Sequence, residues 1–156
     1  MILPRSVLAD LFHRCASLGE AGIAALNEAG DRTGAEAVAL LGDSPDALRA
    51  AEFWAFLDEI LRKAGLGSIS FKPGGGASAA IAWRDSAEAA AAGNVRCHFA
   101  TAFLRGVLSR LADRPVEVAE VQCGGGTEPC WFLFGSTETI QRLHADGEPP
   151  GGGREH

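Results

Sequence analysis

Three cysteines in the C-terminal half, Cys97, Cys123 and Cys130, constrain this chain more than any other feature, the last two enclosing the turn-rich segment CGGGTEPC. For them to act together, the start of one helix and both ends of one hairpin loop must come to a point, where their thiolates can converge on a single cation. A metal site is therefore the first expectation. Elsewhere no nucleophile, base or phosphate loop announces itself, so the sequence makes a weak case for an enzyme.

A chain of 156 residues, 47% of them hydrophobic, suits one compact domain. Residues 1–145 are expected to fold as that unit, and 146–156, DGEPPGGGREH, to form a disordered tail. The net charge of -6 disfavours phosphate backbones and anionic membranes, which would repel an acidic surface. Near the start, Arg5, Asp10, His13 and Arg14 interrupt the apolar residues, and no membrane span follows, so the expected location is the cytoplasm. In that reducing compartment the four cysteines read as ligands or small buried hydrophobes, with a Cys123–Cys130 bridge as the alternative.

Periodicity predicts an amphipathic helix over 6–18, its apolar stripe carrying Val7, Leu11, Phe12, Cys15 and Leu18. Cys15 reads as part of that stripe, a core residue. Gly19, Gly30, Gly34 and Gly42 divide the next stretch into short Ala-rich helical pieces. Ser44-Pro45-Asp46 starts a further helix and Gly65 stops it, with Phe53, Phe56, Leu57, Ile60, Leu61 and Ala64 on one face and Trp54 at its border.

After Gly67 the period changes to two, and Pro73-Gly74-Gly75-Gly76 turns Ile69 and Phe71 back onto Ala79–Arg84 as a hairpin. That glycine run lacks a following Lys-Ser or Lys-Thr and reads as a flexible turn. An alanine-rich linker, 85–93, leads to Asn94, a cap for a helix over 95–112 whose first turn holds Cys97. There the helix dipole favours a thiolate. A second hairpin pairs 116–123 with 130–134, and Ser136 caps a short helix to about His144.

Together the elements Cys97-His98-Phe99, Gly106, Pro115-Val116, Glu120-Val121-Gln122-Cys123 and Cys130-Trp131-Phe132 resemble the C-terminal signature of the 4-vinyl reductase domain family. The resemblance implies an α/β (α+β) domain, an antiparallel four-stranded sheet packed with helices, related to subunits of the TRAPP vesicle-tethering complex and to the haem nitric-oxide-binding sensor fold. It also implies a hydrophobic cavity. Family members serve as sensory domains for phenols and other aromatics, as predicted hydrocarbon-binding proteins, and in reduction of the 4-vinyl group during bacteriochlorophyll synthesis. In the aromatic sensors the signature holds a structural zinc, which carried over residue by residue places Cys97, Glu120, Cys123 and Cys130 on the metal.

On a regular strand, side chains three apart face opposite ways, so Glu120 and Cys123 can share one ion only if the chain bulges or turns near Gln122. His98 stands as the rival fourth ligand. A closed thiolate-rich site suits redox-silent zinc better than an iron–sulfur cluster and leaves no open position for catalysis. Phe53, Trp54, Phe56, Trp83, Phe99 and Phe103 are the candidate cavity walls, an apolar set suited to an aromatic or lipid-like ligand. The leading expectation is a zinc-stabilised homodimer that binds a hydrophobic small molecule or tetrapyrrole for sensing or delivery. A bacteriochlorophyll-synthesis reductase or its accessory substrate carrier is one rival, and a scaffold like the tethering subunits another; no dinucleotide fingerprint supports autonomous reduction.

Overall fold

The computed structural model describes residues 3–40, 50–72, 79–94 and 96–146. Its elements run α1 (Arg5–Ser17), α2 (Glu20–Ala39), α3 (Ala50–Lys63), β1 (Ser68–Lys72), β2 (Ala79–Arg84), α4 (His98–Ala112), β3 (Glu117–Gln122), β4 (Cys130–Gly135) and α5 (Thr137–Asp146). The strands form one antiparallel sheet in the order β1-β2-β4-β3, so the mixed α+β class and the four-stranded sheet stand as expected. The Ser44 helix start, the glycine turn at 73–76 and the tail beyond Asp146 lie outside the described residues.

Alternation decides the two sheet faces. Ile69, Phe71, Ile81, Trp83, Val118, Cys130, Phe132 and Phe134 join the main core, while Ala80, Ala119, Val121, Trp131 and Leu133 turn the other way and meet Ile140 of α5. α4 lies between the sheet and α2, with Ala102, Phe103, Leu104 and Val107 almost wholly buried. Each large apolar side chain buried in this way contributes about 1.5–3 kcal/mol relative to exposure. α3 packs on β1 and buries Phe53, Leu57 and Leu61. Gly65, at φ 77°, ends it in the left-handed turn that glycine adopts without strain.

Three expectations are corrected. Residues 20–39 form one helix of 20 residues, not short pieces, because Gly30 and Gly34 are points of contact rather than breaks. A Cβ on Gly30 would stand 2.5 Å from the Phe99 carbonyl oxygen, and one on Gly106 would stand 2.5 Å from that of Asp31. The two backbones meet where neither helix has a side chain, and Arg105 closes on Asp31 through Nε and Nη2 beside them.

Second, α4 begins at His98, not at residue 95, and Cys97 is its N-cap residue in extended conformation. The residues expected as a linker instead bury Ser86, Ala87, Glu88, Ala89 and Ala91. Third, the α1 stripe is not core: no residue of α1 is buried, and Val7, Leu11 and Leu18 are exposed. Cys15 is half-buried. No described helix is long and apolar enough to cross a membrane.

Candidate metal centre and aromatic interior

One ligand atom from each of Cys97, Glu120, Cys123 and Cys130 falls within 4.8 Å of the other three. Each arrives by a different local device. Cys97 is delivered by the capping geometry of α4. Cys130 opens β4 opposite Trp83, facing the core. Glu120 pairs with Phe132 and Gln122 with Trp131, so Val121 is an extra residue on β3. That bulge puts Cys123 on the Glu120 face, as two ligands three apart require.

The donors suit a thiolate-binding cation. Sulfurs about 2.3 Å from a tetrahedral ion stand about 3.8 Å apart, and Cys97 Sγ lies 3.9 Å from Cys130 Sγ. The Asn94 amide approaches Cys97 Sγ at 3.8 Å and Cys123 Sγ at 3.6 Å, and the Gly124 N–H donates to Cys130 Sγ at 3.3 Å. Donors aimed at sulfur favour the charged form that a metal needs. Glu120 Oε1 accepts the Cys97 N–H at 2.8 Å, whereas Oε2 is buried without a partner. A carboxylate oxygen stranded in this way is costly unless a cation satisfies it. The residues therefore fit a bound metal ion, and all four cysteines are free of disulfides.

Proton distribution agrees with that geometry. The hydrogen bond from Cys97 lowers Cys130 to about 7, making it the first thiolate of the cluster. The same bond, with burial and the neighbouring carboxylates, raises Cys97. Burial raises Cys123 and Glu120. His98 does not join the four ligands: it borders a hollow of about 300 Å³ with His13, Asn94 and Arg96, and burial followed by Arg96 lowers its pKa.

Glu88 is the residue that sequence reasoning missed. Its Oε2 accepts the Phe99 N–H at 2.8 Å and its Oε1 accepts that of Ala100 at 3.0 Å, so it caps α4 from outside the helix. Burial lifts its pKa to about 7. The one available signal was an acidic residue in an otherwise alanine-rich run ahead of a helix start.

The six aromatic candidates divide into groups. Trp83, Phe103 and Phe53 are buried, with Trp83 edge-on to Phe103 at 5.8 Å and hydrogen-bonded through Nε1 to the Leu66 carbonyl at 2.9 Å. Phe99, half-buried, meets Phe103 at 6.3 Å and Phe12 at 5.6 Å. Trp54 stacks on Phe71 at 5.4 Å, and Phe71 reaches Phe134 at 6.1 Å. Phe56 is half-buried on α3. Phe134 in turn borders a cleft of about 610 Å³ between the end of α4, the start of β3 and the start of α5.

A mixed α+β fold with a cluster of three cysteines and one glutamate at the joint of α4 and the second hairpin defines the class. Residues 79–136 match the model of the vinyl-4-reductase domain, the same family that the C-terminal signature resembles. Among solved structures, the chain is similar to the phenol-responsive sensory domain of the transcription activator PoxR, a crystal structure with phenol. The TM-score is 0.72 at 16% identity, covering 94% of this chain and 81% of that one, which establishes a shared fold. No curated protein matches the chain.

Proposed function

We propose that the protein is a zinc-stabilised binding module that holds a hydrophobic small molecule, aromatic or tetrapyrrole, for sensing or delivery in the cytoplasm, acting as a homodimer. The convergence of Cys97, Glu120, Cys123 and Cys130 carries the metal half of this reading. Zinc, when bound, would supply a redox-silent cross-link between the start of α4 and the β3–β4 hairpin, with no open position for substrate.

The ligand half is supported by the family match over 79–136 and by the fold shared with a phenol-responsive domain. Its apolar receiver is the seam bearing Phe53, Trp54, Phe56, Trp83, Phe99 and Phe103, rings that close on one another here and would part around a guest.

Native mass spectrometry beside a denatured control tests both halves. An excess equal to one zinc plus an organic molecule is the expected result. A bare chain that also fails to take up added zinc overturns the metal assignment, and one that retains no hydrophobic compound from a mixed panel overturns the binding module.

A further inference from the structure

We infer that the cleft at the far end of α4 is a binding site for an amphipathic monocarboxylate, its apolar body against Leu108, Leu111, Val116 and Phe134 and its carboxylate on Arg114. The inference rests on the reading of the domain as a hydrophobic-ligand module and gives that ligand a charged end.

Size comes first. At about 610 Å³ the cleft falls within the roughly 300–1,000 Å³ typical of small-molecule sites. Its walls come from three elements that the sheet and α4 already hold in place, so the hollow is a product of the fold rather than of a loop.

Charge selects the ligand class. Of the residues that border the cleft, Arg114 alone carries a charge. Among the described residues its guanidinium takes part in no ion pair, whereas Arg5, Arg14, Arg32, Arg62, Arg105 and Arg142 each have an acidic partner. The hydroxyls nearby are already engaged, since Ser136 Oγ accepts the Thr139 N–H at 3.1 Å and shares a hydrogen bond with Thr139 Oγ1 at 2.8 Å. A neutral polar ligand would therefore find little to bind. A carboxylate would find a planar, two-pronged donor that matches its geometry.

Continuity supplies the third argument. Phe134 belongs both to the cleft and to the ring series Phe134–Phe71–Trp54, which leads into the aromatic seam. An apolar body entering at the cleft meets aromatic surface along its length, while the carboxylate stays at the exposed rim.

The test titrates the full chain with decanoate and with decanol, which share an apolar body and differ in charge, following methyl shifts of Leu108, Leu111 and Val116 by NMR. The expected result is saturable binding of decanoate with shifts at those methyls, weakened about tenfold or more in Arg114→Gln, while decanol binding is unchanged by the substitution. Equal affinities of decanoate for wild type and Arg114→Gln, or shifts confined to other methyls, overturn the cleft assignment and leave the module standing. Binding of neither probe overturns the cleft; if phenol and a porphyrin also fail to bind, the module falls with it.

Discussion

The amide of Cys97 and the carboxylate of Glu120 meet at 2.8 Å, joining the start of α4 to the middle of β3 through the same two residues that offer sulfur and oxygen to the metal site. The second Glu120 oxygen, buried and unpartnered, is where a cation gains most. Glu120→Gln preserves an acceptor for the Cys97 amide but offers the metal a neutral amide. Competition with a chromophoric chelator should show zinc affinity lowered about 10–100-fold, the range for losses around a metal site. His98→Ala should leave it unchanged. The reverse pattern would make His98 the fourth ligand.

Removing the metal should loosen the second hairpin first. Binding that saturates the native state at about a thousand times the dissociation constant stabilises by about 4 kcal/mol, and in a domain of this size each kcal/mol moves the melting point by about 2–4 °C. Chelation is thus expected to lower the melting temperature by roughly 8–16 °C. Cys130→Ser should reproduce most of the loss and make it insensitive to chelator; an unchanged melting curve would remove the structural role.

Glu88 makes the metal-free protein sensitive to pH in an unusual direction. Burial lifts its pKa from 4.5 to about 7, so the folded state holds its proton more tightly than the unfolded chain does. The stabilisation is complete below about pH 4.5 and is lost as pH rises through 7. At about 1.4 kcal/mol for each pH unit of that window, the swing is at most about 3 kcal/mol. Glu88→Gln should flatten the difference in denaturation midpoint between pH 5 and pH 7.5, with Glu120 common to both proteins. Identical pH profiles would show that Glu88 is charged throughout.

The glycines shared by α2 and α4 lead to a packing prediction. Gly30→Leu or Gly106→Val places carbon against backbone of the opposing helix, and overpacking of this kind costs about 1–3 kcal/mol. Ala25→Leu, on the exposed side of α2, should cost little. Chemical denaturation of the three variants separates close approach from helix propensity.

Both hairpins were legible in the sequence because a period of two survives wherever one sheet face is buried, and Ile69, Phe71 and Phe132 keep it. The metal ligands were legible from cysteine spacing, and the bulge at Val121 from the geometry of Glu120 and Cys123. What escaped was long-range. Gly30 looks like a helix breaker until α4 is seen to lie against it, and Glu88 looks like a solvated acid until the chain folds back to the amides of Phe99 and Ala100. The α1 stripe fails for a related reason: Val7 and Leu11 repeat at helical spacing whether or not anything covers them.

The two carboxylates at the start of α4 also determine which end of that helix opens. A helix commonly frays where its first amides lack partners, but here the N–H groups of Cys97, Phe99 and Ala100 are all held by Glu120 and Glu88. The other end closes through Asp113, a non-glycine at φ 50°, with bonds of 3.4 Å to Arg110 and 3.2 Å between Arg114 and Ser109. Amide hydrogen exchange should therefore run backwards along the helix, fast at Leu111 and Ala112 and slow at Phe99 and Ala100. The end that breathes is the one beside Arg114, so the rim of the cleft can yield to a guest while the metal ligands hold their places.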